Sequence, residues 1–336
     1  MKKFSKIIGI AILSLTIFSC SDDDNNNTPA QQTITDIAVA NPDFSILVTA
    51  LTRTNLAGTL DGSGQFTVFA PTNAAFNTFF TSLGAGVNVN NVNVDVLKAV
   101  LLNHVIGSEI KSTAIPAATY VSTLSPINAT PTSPTISMFV QKAGATVTLN
   151  GGIDSKGAVV TTADVDASNG VIHIVNRVIQ IPTLVDHVID NPEFDTLQTV
   201  VTSTGGTFGN QGAVLTALNG LTAAAPATLF APNNAAFTAA TTGTGFLTGT
   251  AVTAANVTKV LQYHVTTAGN VRSSQLTNNQ VVPMFTSPVQ NVTVILGTGT
   301  VDIRDTANNL SRVFQADIQA SNGVIHGVNK VLKPVL

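Results

Sequence analysis

Three blocks of this chain occur twice, in the same order. "NPDF" (Asn41 to Phe44) returns as "NPEF" (Asn191 to Phe194), and "FAPTNAAF" (Phe69 to Phe76) returns as "FAPNNAAF" (Phe230 to Phe237) with seven of eight positions identical. "ADVDASNGVIHIVNRVI" (Ala163 to Ile179) returns as "ADIQASNGVIHGVNKVL" (Ala316 to Leu332), identical at 12 of 17 positions. The offsets are 150, 161 and 153 residues, so the blocks keep their order while the loops between them change length. Such a spacing is domain-sized rather than solenoid-sized. The chain therefore folds as two similar domains in tandem, and each repeated letter serves either scaffold or a site built twice.

Local chemistry assigns elements to the blocks. Asn41 suits a helix N-cap and Pro42 the first helical position, where a missing N–H costs nothing. Phe44, Leu47, Val48 and Leu51 then recur at i, i+3, i+4 and i+7 as one apolar helical face, and the second copy keeps Phe194, Leu197 and Val201. "QFTVFAPTNAAF" opens as a strand, breaks at Pro71, and offers Thr72 or Asn73 as cap of a helix carrying Phe76. Asn169-Gly170 signals a hairpin turn because both residue types tolerate positive φ, and a β-branched strand follows. Hairpins and helices in this order predict an α+β domain rather than a parallel doubly wound sheet. The short connection "QIPTLVDHV", stiffened by Pro182, predicts near-fixed contact between the two domains.

The histidines are the first candidates for chemistry. His104 closes the stripe Leu97, Val100, Leu101, and His264 closes Val257, Val260, Leu261. Each ring faces the core side of its helix and needs hydrogen-bond partners there. His173 and His326 share a strand face with Val171/Val175 and Val324/Val328. A metal held by a helix and a strand histidine needs further ligands; no cysteine is available and no carboxylate reads as recurring beside both copies, so no metal is expected. "DVDASNG" (Asp164 to Gly170) begins like a calcium loop, but its twelfth position is Val175 and Gln319 replaces Asp166 in the second copy. "SEIK" (Ser108 to Lys111) has S-x-x-K spacing without the companion motifs of acyl-transfer enzymes. No G-x-S-x-G, H-E-x-x-H or phosphate-cradling glycine loop occurs. No catalytic residue and no cofactor are expected. His187, beside Asp186, has no counterpart and is expected at a surface or interface.

Taken together the blocks resemble the fasciclin (FAS1) domain. The matching stretches are Phe66 to Phe76, His104 and Asn169 to Ile179 in the first half, and Thr228 to Phe237, Tyr263-His264 and Asn322 to Leu332 in the second. The resemblance covers nearly everything from about Thr33 onward. It implies two domains, 34–181 and 182–336, each a β-sandwich-like wedge of strands wrapped by short helices. It also implies roles in adhesion and extracellular interaction without catalysis. The Tyr-His pair that the family links to adhesion is Tyr263-His264 here; the first half departs from it, with Asn103 before His104. These four residues are the candidate interaction positions.

The N-terminus carries its own signals. Lys2, Lys3 and Lys6 precede an apolar run, Ile7 to Phe18, too short for an ordinary membrane span and read as a secretory signal over residues 1–19. Ser19-Cys20 resembles the lipobox of bacterial lipoproteins, in which the cysteine thiol is acylated and becomes the first mature residue. Cys20 is the single cysteine, which excludes a disulfide framework and favours a lipid attachment point. Residues 20–33, in which "SDDDNNNTPAQQ" follows Cys20, read as a polar tether, and the acidic run resembles the export tag of surface-exposed lipoproteins in some Gram-negative bacteria. Without the three lysines of the signal the formal charge moves from −3 to about −6, and no basic stripe remains to engage nucleic acid. The expectation is an exported, surface-exposed outer-membrane lipoprotein. It would meet the membrane through the lipid on Cys20 and bind an extracellular protein or glycan. The alternative is a periplasmic or surface accessory protein for a glycan or small apolar molecule, marked by a pocket lined from one domain only.

Overall fold

The computed structural model describes residues 31–128, 130 and 132–336. The expected signal, Cys20 and nearly all of the expected tether lie outside the described residues. Gln32 and Thr33, read above as tether, already belong to the fold. The Ser168 N–H donates to the Gln32 carbonyl at 2.9 Å. Thr33 caps the helix Ile34–Ala40 in a reciprocal box with Asp36.

The first repeated block folds as expected. Asn41 accepts from the Asp43 N–H and opens a 3-10 turn, Pro42–Phe44, that runs into the helix Ser45–Arg53. Phe44, Leu47 and Leu51 are buried on it. In the second block, strand β1 (Phe66–Pro71) leads into the helix Asn73–Leu83, whose cap is Thr72, accepting from the Ala75 N–H. Asn73 has a different task. Its Oδ1 accepts from the Ile46 N–H and its Nδ2 donates to the Pro42 carbonyl, both at 2.9 Å. Asn234 repeats this with the Thr196 N–H at 2.8 Å and the Pro192 carbonyl at 2.7 Å. One amide thus fastens the first repeated block to the second in each half.

The first half continues with β2 (Val105–Ile106), β3 (Ala118–Pro126), β4 (Thr135–Ala143), β5 (Thr146–Leu149), β6 (Ala158–Ala167) and β7 (Gly170–Val175). The seven strands form one sheet in the order β2-β1-β7-β6-β5-β4-β3, and β2 packs on β3 so that the sheet nearly closes. The second half repeats it with β8 (Ala227–Pro232), β9 (Val265–Thr266), β10 (Val281–Pro283), β11 (Asn291–Gly297), β12 (Thr300–Arg304), β13 (Leu310–Ala320) and β14 (Gly323–Val328), ordered β10-β11-β12-β13-β14-β8-β9. Each half has two apolar cores. In the first, Phe44, Phe76, Leu97 and Ile172 pack between helices and sheet, while Phe69, Met138, Leu149 and Val175 fill the sheet's concave side. The architecture is the α+β pair of strand wedges with short helices that the sequence predicts.

All strand pairs are antiparallel except β1 with β7 and β8 with β14. That exception explains the most repeated letters. The β6–β7 hairpin is present, but Ala167 pairs with Gly170, so its turn residues are Ser168 and Asn169 rather than Asn169 and Gly170. Asn169 instead buries its amide, accepting from the Ile34 N–H at 2.9 Å and donating to the Leu60 carbonyl at 2.5 Å. Gly170 sits at φ 143°, where a Cβ would lie 2.0 Å from the Phe66 carbonyl oxygen of the parallel neighbour. Gly323 repeats this at φ 157°, 2.2 Å from the Ala227 oxygen.

Residues 32–336 form one compact unit. Tyr120 of β3 meets the ring of His187 edge-on, centroids 5.5 Å apart, and its hydroxyl accepts from Asn191 Nδ2 at 3.3 Å. The Gln319 N–H of β13 donates to Ser137 Oγ of β4 at 2.9 Å, and Lys156 pairs with Asp186 at 2.9 Å. His187 is fully buried, an interface residue rather than a surface one.

Gly170→Ala and Gly323→Ala are each expected to cost about 3 kcal/mol or more, because a backbone must retreat from the new methyl. Gly58→Ala, in a helix with open space around its Cα, should shift stability by less than about 1 kcal/mol. Urea midpoints of the three variants check this; equal midpoints would remove the close-approach explanation.

Candidate functional site

The four candidate interaction residues are interior, the two histidines core-facing as their helical spacing predicts: Asn103 and Tyr263 are 0% exposed, His104 and His264 2%. His104 caps the C-terminus of the helix Val94–Asn103. Its Nδ1–H donates to the Val100 carbonyl at 2.7 Å, and its Nε2 accepts from the Ile179 N–H at 2.9 Å. His264 does the same between the Val260 carbonyl at 2.7 Å and the Leu332 N–H at 2.9 Å. Each neutral ring rivets a helix end to the segment after the last strand. Tyr263 donates its hydroxyl to the Asn291 carbonyl at 2.7 Å and accepts from the Thr306 N–H at 3.1 Å, and burial pushes the phenol up to about 12. Asn103 turns the other way, donating to the Ile179 and Gln180 carbonyls at 3.4 and 3.3 Å.

The strand histidines stand in clusters that the sequence reading missed. Asp164 is held at φ 60° and Asp317 at φ 59°, and each carboxylate accepts from the backbone N–H at 2.7 Å and from the hydroxyl of a serine, Ser112 or Ser273. The Asp164 N–H donates to His173 Nδ1 at 3.2 Å, while His173 Nε2–H donates to the Ile110 carbonyl at 2.9 Å. His326 repeats both contacts, with the Asp317 N–H at 3.4 Å and the Val271 carbonyl at 2.9 Å. A carboxylate does recur beside both histidines, and its signal was the shared Ala-Asp opening of the third block. Both carboxylates are occupied by serine, and among the described residues no group of three or more His, Cys, Asp or Glu side chains is placed to hold a metal. In "SEIK", Lys111 pairs with Asp166 at 2.5 Å and the Ser108 carbonyl accepts from Thr67 Oγ1 at 2.7 Å.

Next to His173 the first half opens a cavity of about 300 Å³. Phe69, Ile106, Ile110, Ile115, Val121 and Val140 form its wall, with Glu109, Ala114, Pro116 and Thr119 around it. Glu109, Ala114 and Pro116 are exposed and make the mouth. Phe69 stacks on His173 at 5.4 Å, so one ring pins two wall residues, Phe69 and, through its carbonyl, Ile110. The second half differs at matched positions. Thr67 bonds the Ser108 carbonyl and the Ile110 N–H as Thr228 bonds the Gly269 carbonyl and the Val271 N–H. That register sets Asn270 opposite Glu109 and Gln275 opposite Ala114. Gln275 folds onto the Arg272 N–H at 2.8 Å, and Asn270 pairs with the Gln319 amide at 2.9 and 3.1 Å.

Burial also sets charge states. It holds His104, His187 and His264 far below the usual histidine value, at about 4. The unfolded chain protonates these rings near 6.5, so their contribution to stability is complete above 6.5 and is lost as the pH falls from 6.5 to 4, by up to about 3 kcal/mol per ring. Asp190, at the C-terminus of the helix Leu184–Asp190, has the opposite sign. Burial pushes its carboxyl up to about 6, and neither oxygen has a hydrogen-bond partner among the described residues, although Ser155 stands beside it. Its cost is absent below about 3.8, grows through the window up to 6, and is complete above it.

Unfolding free energy should therefore drop steeply between pH 6.5 and 4, and His104→Ala should flatten that drop while costing about 3 kcal/mol at pH 7. Asp190→Asn should stabilise by on the order of 1–2 kcal/mol at pH 7 and by nothing measurable at pH 4. Urea titrations at the two pH values decide; a gain of equal size at both would show that the Asp190 charge is not the cause.

Comparison with known proteins follows the same division into halves. The Fasciclin domain model matches residues 42–182 and 194–334. The chain is 34% identical over 161 residues to Protein sll1483 of Synechocystis sp., covering 46% of this chain and 77% of that one. It is 32% identical over 147 residues to the uncharacterized protein sll1735 of the same organism, covering 44% and 96%. Similarity to transforming growth factor-beta-induced protein ig-h3 of Sus scrofa is 31% over 159 residues, covering 47% of this chain and 21% of that protein. A FAS1 domain pair from the insect cell adhesion molecule Fasciclin I superposes with a TM-score of 0.46 at 17% identity, covering 89% of this chain and 95% of that one. With the two matched segments spanning most of its length, this chain belongs to the fasciclin domain family.

Proposed function

We propose that this protein is a lipid-anchored surface module that holds an extracellular protein or glycan, its two fasciclin domains acting as one body. The observation that carries the reading is where the duplicated polar residues are committed. Asn73, His104, Asp164, Asn169 and His173, with their counterparts in the second half, all fasten one element to another. A chain that uses its repeated polar letters as fasteners presents a rigid surface, and fasciclin domains are often involved in cell adhesion. The anchor reading is supported by the lysines, the apolar run and the single cysteine at position 20. Cys20→Ala should abolish incorporation of labelled lipid and release the protein from membranes. Protease added to intact cells should remove the native protein; survival until the outer membrane is opened would place it on the periplasmic side and overturn surface display.

The cavity beside His173 favours a second reading, an accessory protein for a small apolar molecule, because all its lining residues come from the first half.

A further inference from the structure

We propose that the first-half cavity takes a small apolar amine, with its hydrocarbon body against Phe69, Ile106, Ile115 and Val140 and its ammonium group at the Glu109 carboxylate. This rests on the ligand-binding reading of the cavity and adds to it the charge of the head group. The volume sets the body. An apolar cavity of roughly 150 Å³ holds a benzene, so one of about 300 Å³ holds about twelve non-hydrogen atoms. Phe69, Ile106, Ile115 and Val140 are buried and offer carbon only.

The mouth sets the head. Glu109 is the one ionisable side chain in the lining. Its carboxylate lies 3.9 Å from Lys111 Nζ, but that ammonium is held by Asp166 at 2.5 Å. The lysine is thus hydrogen-bonded to Asp166 and only a distant ion-pair partner of Glu109, whose carboxylate keeps acceptor capacity. Lys142, the other nearby cation, donates to the Ser112 carbonyl at 2.7 Å. Among the charged groups linked to Glu109 and Ser112 by these contacts, Glu109, Asp164 and Asp166 outnumber Lys111 and Lys142 by one, which favours a cation over an anion. In the second half the matching residue, Asn270, is neutral and already paired with Gln319. The preference therefore belongs to the first half alone.

Titration calorimetry of the full chain carrying Cys20→Ala, with octylammonium, 1-octanol and octanoate as probes, tests this. Octylammonium should bind roughly fivefold more tightly than octanol, with octanoate weakest. Glu109→Gln, an exposed change, should abolish the preference for the amine and leave octanol unchanged. Ala114→Phe, which puts a bulky ring at the mouth, should weaken all three. Binding of octanol and octylammonium with equal affinity, or a preference that survives Glu109→Gln, overturns the amine proposal while the ligand reading stands. Failure of the Cys20→Ala chain with its cavity unaltered to bind any probe, or affinities untouched by Ala114→Phe, overturns both.

Discussion

The parallel contact between the first and last strands of each half is the constraint on which the rest depends. Parallel neighbours need a long crossover, and here everything between β1 and β7 forms it. For the strands to reach register, the chain must pass the Phe66 backbone with no side chain in the way, which only Gly170 allows. The same condition recurs at Gly323 and Ala227. Once that pair is seated, Asn169 and Asn322 are brought within reach of Ile34 and Leu184, and the first helix of each half closes over the sheet. The cores on the two sides of the sheet follow from that placement.

The buried imidazoles belong to the same scheme. A neutral histidine offers one donor and one acceptor on opposite sides of a rigid ring, a good bridge between a carbonyl of one segment and an N–H of another. His104 and His264 use the Nδ1–H tautomer; His173 and His326 use the Nε2–H tautomer. Each of these four rings has both nitrogens hydrogen-bonded, so none has a nitrogen left over for coordination. His187 and Asp190 at the joint of the halves are less completely satisfied: His187 Nδ1 and both Asp190 oxygens lack partners among the described residues. These groups give the joint opposing responses to acid.

Much of the fold was legible in the letters, and particular residues show why. Asn41, Pro42 and Thr72 act locally, and a cap or a first-turn proline depends on little beyond its neighbours in sequence. The inward helix histidines were legible because 3.6-residue periodicity places them on the apolar stripe. Asn73, Asn169 and Gly170 were identified as important for the wrong local reason. Local rules give each a turn or cap role, whereas their partners lie 27, 135 and roughly a hundred residues away. Asp164 was overlooked beside His173 because a strand bulge at φ 60° brings its carboxylate to Ser112, and no periodic rule anticipates a bulge.

By itself the sequence determined that there are two domains, that each mixes short helices with hairpins, and that the repeated residues serve both alike. Those properties rest on repetition, capping and periodicity, which act over a few bonds. Tertiary structure alone decided that Tyr263 and Asn103 are interior, that Tyr120 and His187 weld the halves together, and that one half keeps an apolar cavity where matched positions of the other carry hydrogen-bonded amides. These outcomes depend on which distant side chains compete for the same volume and the same hydrogen bonds, and that competition exists only once the strands are in register.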